Sequence, residues 1–358
     1  MRILLLTTHL NPGGVSRYVL TLAHELKRQN HSVWVGCAKN SQWLDVLAKE
    51  NIPCKIIPID TKSICSHKIF FSLFALFSFL RKEKIEILHA NTRVTQFLSF
   101  LVYKSLGIPY ISAFHGFHRK SLERRLMKFE GIKTIAVSEA VKEHLVNDFD
   151  IKSEKISVVY NGVNVEEFKP HKFSKNDYDF KDTDFVVGIL GRISEEKGHF
   201  LAASAIKLLS YKYDNVYLAI SGRGKLEEEL KTFIKVAEME KKVKFFDIEA
   251  KYFLDIPDIL VVPSKHEGFG YAIVEAFIKQ IPVVGFATGG IAEIIKDREN
   301  GLLFYKYDEL YLKNAIEEIM TDNALRCRII ENARACIAKF TMEEMAHNTE
   351  AVYKQAFS

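Results

Sequence analysis

One stretch of the sequence combines acidic residues with glycines in a pattern suited to binding a hydroxyl-rich ligand. The apolar run Ile259–Val262 leads into a glycine-rich turn that carries Glu267, and a helical pattern with Glu275 follows eight residues further on. Carboxylates accept hydrogen bonds from hydroxyl groups, and the N–H groups of a turn donate them. Glu275 has a simpler alternative explanation, because the helix dipole favours an acidic side chain in the first turn of a helix. The other candidate contacts in this turn are Gly268, Phe269 and Gly270.

A second candidate site follows the apolar run Phe185–Leu190. The loop 191–198 begins with Gly191 and carries Arg192 near one end and Lys197 near the other. Two cations in a short loop suit a diphosphate, because Arg binds phosphate bidentately and Lys acts as a point charge. The alternative is that both cations are solvated and pair with the two glutamates between them.

Two further features follow predicted strands in the first half of the chain. Gly13 and Gly14 lie between an apolar strand and a helical pattern, where free N–H groups at a helix N-terminus can bind an anion. They do not form the GxGxxG pattern of dinucleotide-binding proteins, and a tight turn is the alternative explanation. His115 ends the predicted strand Tyr110–His115, a position that favours a binding cleft over the core. A lone histidine is nevertheless more often a structural residue.

The elements that would position these residues alternate between strands and helices, which indicates βαβ units and doubly wound parallel sheets. The same pattern begins twice, at Arg2–Leu6 and at Phe185–Leu190. Between them, the polar stretch Phe168–Asp184 is predicted to be a domain linker. We therefore expect two Rossmann-like domains, with ligands at the carboxyl ends of the strands and in the cleft between the domains. The other predicted strands are His31–Gly36, Cys54–Ile59, Ile85–His89, Thr134–Val137, Ile156–Val159, Val216–Ser221, Val243–Phe246 and Ile281–Gly285.

The composition is that of an ordinary globular protein. Its 358 residues exceed what one core usually serves, which predicts about two domains. A net charge of +5 is too small to indicate a nucleic-acid partner. Five scattered cysteines without a CxxC pair predict reduced thiols and a cytoplasmic protein. The apolar stretch at the N-terminus is too short for a signal peptide. The longest apolar run, Ile69–Leu80, is shorter than the ~20 residues that span a bilayer.

Taken in order over nearly the whole chain, these motifs resemble the retaining GT-B glycosyltransferases of family four. Glu267 and Glu275 match the E-x7-E signature of that family. Gly13–Gly14, Asn161–Val163 and the loop 191–198 match it as well. The resemblance implies the GT-B fold, in which two Rossmann-like α/β domains with doubly wound parallel sheets face each other across a cleft.

The resemblance also implies three structural regions. We expect an N-terminal acceptor-binding domain over residues 1–165 and a C-terminal nucleotide-sugar-binding domain over residues 166–340. A C-terminal helix over residues 341–358 is expected to cross back to the first domain.

Site roles follow from the same resemblance. Arg192 and Lys197 would hold the donor diphosphate and stabilise the leaving nucleotide. Glu275 would bind the ribose, Glu267 would orient the donor sugar, and His115 would contact the sugar or the acceptor oxygen. His115, Arg192, Lys197 and Glu267 are the candidate catalytic residues. The implied donor contacts are Gly13, Gly14, Gly191, Arg192, Lys197, Gly222, Glu267, Gly268, Phe269, Gly270 and Glu275.

The activity implied is transfer of a sugar, with retention, from a nucleotide-diphosphate sugar to a glycan or lipid-linked acceptor of cell-surface polysaccharide or glycolipid synthesis. A UDP-sugar is favoured over a GDP-sugar, although the segment Phe246–Asp258, which helps form the base pocket, departs from the family pattern. No cofactor and no metal are expected. The alternatives are a sugar-nucleotide epimerase and an inactive scaffold that binds glycan or nucleotide.

Three DxD triplets test the metal-free expectation, because that motif binds a metal in another glycosyltransferase fold. They are Asp148–Asp150, Asp177–Asp179 and Asp182–Asp184. None follows a clean apolar strand, and surface acidic pairs are common, so we interpret them as surface residues.

Two segments could contact an anionic membrane. Ile69–Leu80 is apolar almost all round, and a buried core helix is the favoured interpretation of it. Residues 119–128 interleave five cations with leucines and methionine, which predicts a basic amphipathic helix that starts just after His115. A solvated helix face is the alternative. The expected location is cytoplasmic, with peripheral attachment at the inner face of the cytoplasmic membrane left open.

Overall fold

The structure is a computed structural model that describes residues 1–61, 63–64, 66–169 and 174–357. Its strands are β1 (Arg2–Leu6), β2 (Ser32–Cys37), β3 (Cys54–Ile56), β4 (Ile87–Ala90), β5 (Tyr110–Phe114), β6 (Lys133–Ala136), β7 (Ile156–Val158), β8 (Phe185–Leu190), β9 (Val216–Ser221), β10 (Val243–Phe246), β11 (Ile259–Val262), β12 (Val283–Phe286) and β13 (Leu302–Phe304).

Helices follow most of these strands. They are α1 (Gly14–Arg28), α2 (Leu44–Lys49), α3 (Lys68–Lys82), α4 (Arg93–Leu106), α5 (Leu122–Leu126), α6 (Glu139–Phe149), α7 (His199–Ser210), α8 (Glu227–Val236), α9 (Ala250–Phe253), α10 (Tyr271–Ile278), α11 (Gly289–Ile294), α12 (Glu309–Thr321), α13 (Asn323–Cys336) and α14 (Met342–Gln355). Single 3₁₀ turns lie at Ser153–Lys155, Val165–Phe168, Lys175–Tyr178, Glu195–Lys197 and Ile337–Phe340.

The chain divides into two compact units. One comprises Met1–Gly162 and the C-terminal segment from Phe340, and the other is Val163–Lys339. In the first unit α14 packs against α1, and its Tyr353 is fully buried in the core there.

The sheet of the first unit is parallel throughout, in the order β3-β2-β1-β4-β5-β6-β7. The central strand β1 explains why helices cover both faces. Its Ile3 and Leu5 side chains pack with α1 and α14, while Leu4 and Leu6 pack with α3 and α4. A strand in which four successive residues are apolar needs such burial on both sides.

The sheet of the second unit is also parallel, in the order β10-β9-β8-β11-β12-β13. Each sheet reverses its strand order once, between β1 and β4 in the first and between β8 and β11 in the second. Loops diverge at such a switch point and leave a crevice at the carboxyl ends of the strands. The structure confirms the prediction of an α/β protein with two doubly wound parallel sheets.

The prediction that Phe168–Asp184 forms a domain linker is wrong, because the described part of this segment belongs to the second unit. Phe168 and Phe180 are buried, and Lys175 forms an ion pair with Asp258 at 3.1 Å. The sequence hides this because the two aromatic anchors are spaced too far apart to show a periodicity. Residues 170–173 of the predicted linker lie outside the described residues.

Both segments predicted to contact a membrane differ from expectation. Helix α3 is only half buried: Ile69 and Leu76 face the core, whereas Phe70, Phe71 and Phe74 are exposed. The basic amphipathic helix predicted just after His115 is shorter, since only the five residues of α5 are helical. Among the described residues, no helix combines the length and the apolar character needed to cross a bilayer.

The described cysteines Cys37, Cys54, Cys327 and Cys336 are free thiols, as predicted. Cys65 lies outside the described residues.

Candidate active site

The loop 191–198 connects β8 to α7 at the switch point of the second sheet, and backbone packing holds its first residue in place. Gly191 N–H donates to the Ser221 carbonyl at 2.9 Å. A Cβ atom on Gly222 would lie 2.1 Å from the Gly191 oxygen, and the φ angle of Gly222 is +140°. Only glycine fits there, so Gly222 fixes the start of this loop from the neighbouring strand.

The two predicted phosphate-binding cations have different surroundings. Arg192 is exposed and makes no hydrogen bond or ion pair within the part of the chain that the structure describes. Lys197 Nζ lies 2.5 Å from Glu267 Oε2, and both side chains are mostly buried. The alternative is therefore wrong in pairing these cations with Glu195 and Glu196, whereas the solvation that it expects holds for Arg192.

Two further polar side chains lie in this loop and at the start of α7. The Ser194 hydroxyl oxygen is enclosed and has no hydrogen-bond partner among the described residues. His199, the first residue of α7, is 1% exposed, and burial, reinforced by Lys197, lowers its pKa to about 4. An enclosed hydroxyl, an unpaired guanidinium and an ammonium at one strand end form a surface that an anion can complete.

Glu267 lies at the carboxyl end of β11, the strand next to β8, in a turn that is packed from behind. Gly290 N–H donates to the Glu267 carbonyl at 2.9 Å. A Cβ atom on Gly290 would lie 2.6 Å from the carbonyl oxygens of both Gly268 and Phe269. The Phe269 ring is buried, and Gly270 caps α10. These contacts hold the backbone of the turn in place, so that the Glu267 side chain can reach Lys197.

Glu275 lies in the second turn of α10 and is 1% exposed. The first turn of α10 contains no acidic residue, so the helix-dipole explanation for Glu275 is wrong. A buried carboxylate is costly unless hydrogen bonds or a cation compensate it, which favours a binding or structural role for this residue over simple surface placement.

His115 directly follows β5 in the first unit and lies in a pocket of aromatic and polar groups. Its Nε2 atom lies 3.0 Å from Asn91 Oδ1, and its ring packs edge-on against Tyr18 at 4.6 Å between centroids. Burial lowers the pKa of His115 to about 3, and His118 nearby adds to the effect. The ring is therefore neutral at pH 7.

Gly13 and Gly14 are exposed at the N-terminus of α1, which has no acidic residue in its first turn. Tyr18 lies one turn further along α1, so the helix that presents the two glycines also contacts the His115 ring. Within the first unit these groups lie at its switch point, since they follow or adjoin β1, β4 and β5.

The structure thus brings Lys197 to Glu267, and Gly191 to Gly222, inside the second unit. His115 and the two glycines form a separate group inside the first unit. Sequence reasoning missed Asn91, Tyr18 and Ser194. The position of Asn91, directly after the buried strand β4, is the one signal that could have revealed it.

In the described residues, no group of three or more His, Cys, Asp or Glu side chains is arranged to hold a metal ion. In the first DxD triplet, Asp148 pairs with Lys120 at 2.6 Å and Asp150 with Arg125 at 2.5 Å. These carboxylates have cationic partners already.

Comparison with known proteins shows the family to which the chain belongs. The family model described as Glycosyltransferase Family 4 matches residues 12–167, and that of Glycosyl transferases group 1 matches residues 171–335. An uncharacterized glycosyltransferase of Methanocaldococcus jannaschii is 30% identical over 96% of this chain and 95% of its own. The chain belongs to glycosyltransferase family 4.

Two further relatives of this family 4 glycosyltransferase are informative. The UDP-Gal:alpha-D-GlcNAc-diphosphoundecaprenol alpha-1,3-galactosyltransferase of Escherichia coli is 25% identical over 87% of this chain and 86% of its own. Anabaena HepE, solved in complex with UDP and glucose, is 21% identical with a TM-score of 0.86, covering 99% of both chains. The structural likeness confirms the GT-B fold, and the family matches confirm the resemblance to family 4 glycosyltransferases.

Proposed function

We propose that this glycosyltransferase transfers a sugar from a UDP-sugar to a glycan or lipid-linked acceptor, with retention of configuration and without a metal ion. The observation that carries the proposal is the cation pair at the end of β8. Arg192 is unpaired, and Lys197 is held 2.5 Å from Glu267 at the end of the adjacent strand. Such a site carries positive charge where a diphosphate leaving group would develop negative charge.

Each group has a defined task in this proposal. Arg192 offers a planar fork of donors to the phosphates. The Lys197 ammonium has three N–H donors, so it can bind a phosphate oxygen and keep its contact with Glu267. Glu267 in turn accepts hydrogen bonds from sugar hydroxyls, and Glu275 binds the ribose.

In the proposed reaction, bond breaking and bond formation both take place on one face of the sugar. The bond from the anomeric carbon to the donor phosphate breaks, and a bond to the acceptor oxygen forms on the same side. The proton of the acceptor hydroxyl passes to the departing phosphate oxygen. Arg192 and Lys197 stabilise the charge on that phosphate, a task that a metal performs in other glycosyltransferases.

A UDP-sugar is supported by the relatives, because the printed name of the Escherichia coli enzyme specifies UDP-Gal and HepE was solved with UDP. The same enzyme name specifies a diphosphoundecaprenol acceptor, which supports a lipid-linked acceptor here.

A turnover assay separates this proposal from its alternatives. The full chain is incubated with UDP-glucose or UDP-galactose and a polyprenyl-diphosphate-linked sugar, and the products are analysed by NMR. A transferase gives a new glycoside whose anomeric proton coupling matches that of the donor. An epimerised UDP-sugar without acceptor product would favour the epimerase, and binding without turnover would favour the scaffold. EDTA should leave the transfer rate unchanged. Loss of activity on addition of EDTA would contradict metal independence.

The acceptor proposal extends to a membrane-facing surface on the first unit, formed by α3 and α5. Helix α3 lies in the connection from β3 to β4, and α5 lies in the connection from β5 to β6. Both connections run in the same direction along the sheet. Right-handed crossovers therefore place them on one face. The exposed apolar residues of this surface are Phe70, Phe71, Phe74, Leu122 and Leu126.

Apolar contact is the main support for this surface. Two of the cations near α5 already have acidic partners, Lys120 with Asp148 and Arg125 with Asp150. The exposed phenylalanines are followed by the exposed basic end of α3, which suits a headgroup layer. We therefore expect attachment that depends more on the phenylalanines than on salt.

Vesicle co-sedimentation tests the surface. Phosphatidylglycerol vesicles should sediment the wild-type chain, and the Phe71→Asp/Phe74→Asp double variant should remain in the supernatant. Val236→Asp, which changes an equally exposed apolar residue on the second unit, is the matched control and should bind like wild type. Equal binding of the double variant would remove the surface from the proposal.

A further inference from the structure

We propose that Asn91 fixes the tautomer of His115, so that His115 presents a bare Nδ1 atom as a hydrogen-bond acceptor for a substrate hydroxyl. The tautomer follows from hydrogen bonds inside the first unit. The assignment of the hydroxyl to a substrate rests on the proposed function.

The orientation of the Asn91 amide is determined by its two other partners. Its Nδ2 atom lies 3.2 Å from the Leu6 carbonyl oxygen and 3.2 Å from the His89 carbonyl oxygen. Carbonyl oxygens only accept hydrogen bonds, so the amide atom that faces them is the NH₂ group. The oxygen of Asn91 must then face His115.

The proton on His115 follows from this orientation. Asn91 Oδ1 is an acceptor, and His115 Nε2 lies 3.0 Å from it, so Nε2 must carry a hydrogen. A neutral imidazole has one N–H group, which leaves Nδ1 with a bare lone pair. Burial keeps the ring neutral at pH 7 by lowering its pKa to about 3.

Nδ1 itself is enclosed and has no hydrogen-bond partner among the described residues. A buried acceptor without a donor is costly, and in a functional site it indicates a group that a ligand satisfies. The partner that fits is an O–H group. The phosphate oxygens of a donor, which have no proton to give at pH 7, do not fit.

A second set of contacts holds the plane of the ring. The Tyr18 ring packs edge-on against His115, and its hydroxyl lies 3.5 Å from His89 Nε2. His89 Nδ1 lies 2.6 Å from the hydroxyl of Tyr353 on α14. The C-terminal helix therefore supports Tyr18 and His89, which in turn surround His115 and Asn91.

The chemical consequence is a defined role for His115 in the proposed reaction. An Nε2–H directed to Asn91 cannot be given to the leaving phosphate, so His115 is not a general acid for that group. Its unprotonated Nδ1, which has no partner among the described residues, accepts a hydroxyl hydrogen and thereby orients the sugar or the acceptor. Asn91 is a positioning residue that acts through His115.

The test is a long-range ¹H–¹⁵N NMR spectrum of the full chain labelled with ¹⁵N-histidine, recorded at pH 7. The signals of His115 are assigned by their loss in His115→Gln. We expect the pattern of a neutral ring protonated at Nε2. Asn91→Leu should convert it to a mixture or to the Nδ1–H form. Gln96→Met, which removes another buried amide that bonds to β5, should leave it unchanged.

A wild-type spectrum with Nδ1–H or a charged ring would overturn the proposal, as would an unchanged His115 pattern in Asn91→Leu. The wild-type spectrum alone shows which nitrogen of His115 is protonated, even if Asn91→Leu does not fold. UDP-glucose affinity gives a second readout, expected to fall about tenfold in Asn91→Leu while UDP affinity is unchanged. If no variant binds UDP-glucose, the proposed donor fails while the tautomer assignment stands on the spectrum.

Discussion

At the scale of single residues, the positive charge of the candidate donor site is only partly compensated. Glu267 compensates Lys197, whereas Arg192 carries a charge without an acidic partner among the described residues. A bound diphosphate would bring the missing negative charge. Without substrate, Glu267 weakens the repulsion between Lys197 and any neighbouring cation.

Replacing Lys197 tests its role in the chemical step. Lys197→Ala should lower kcat by about 3 kcal/mol of transition-state stabilisation, or roughly 100-fold, because the cation acts on charge that develops as the phosphate leaves. Initial rates with a saturating UDP-sugar measure the loss, and circular dichroism checks that the fold persists. Lys241→Ala, an exposed lysine elsewhere in the second unit, is the control. A near-normal rate in Lys197→Ala would remove the leaving-group assignment.

At the scale of elements, backbone contacts between neighbouring loops set the site geometry. Gly222 after β9 packs on Gly191 after β8, and Gly290 in α11 packs on the turn of Glu267. A side chain at either glycine would push the two loops apart. The precision of the site thus depends on residues that carry no functional group.

Gly222→Ala tests this dependence. Its Cβ atom would lie 2.1 Å from the Gly191 oxygen at a φ of +140°, so the free energy of unfolding should fall by roughly 1–3 kcal/mol and UDP binding should weaken. Urea denaturation and UDP titration measure the two effects. Gly116→Ala, where a Cβ atom meets no neighbour within 4 Å, should leave stability nearly unchanged. Equal stabilities for the two variants would show that the contact is not required.

The sequence predicts some elements well and others poorly. Strands β8, β9, β10 and β11 have the predicted bounds, because each is a mainly apolar run followed directly by a glycine, an aspartate or a proline. Strand β13 escapes prediction because three residues are too few to show a pattern. The helix predicted after His115 reflects a spacing of cations and leucines that folds mostly as loop.

The candidate site shows the same division. The residue types at strand ends are visible in the sequence, and the family resemblance implies the roles that we propose for them. The contact of Lys197 with Glu267 joins residues 70 positions apart, so only the fold reveals it. The hydrogen bond between Asn91 and His115 spans 24 positions and that between Tyr353 and His89 spans 264, so the fold is needed to reveal these as well.

At the scale of the whole molecule, buried histidines link stability to pH. Burial lowers the pKa of His89 and His115 to about 3 and that of His118 and His199 to about 4. In the unfolded chain these groups titrate near 6.5. Between the two values the unfolded state binds more protons, so the folded state loses stability as pH falls from about 6.5 towards 3.

A denaturation series at pH 7 and pH 5 checks this prediction. His89 alone should contribute a loss on the order of 2 kcal/mol over that interval, because it is fully buried. His89→Gln should therefore show a smaller pH dependence than wild type. His347→Gln changes an exposed histidine and should keep the wild-type slope. Identical slopes for the two variants would mean that His89 can be protonated in the folded state.

The most direct test of the central claim is nucleotide binding by the loop after β8, measured as a thermal shift with UDP, GDP and ADP. A ligand at ~100 times its Kd adds ~2.7 kcal/mol to the free energy of unfolding, which raises Tm by a few degrees. We predict that UDP gives the largest shift in wild type and in the control Arg328→Ala, and little or none in Arg192→Ala. A shift of equal size in Arg192→Ala, or no shift with any nucleotide, would contradict the account.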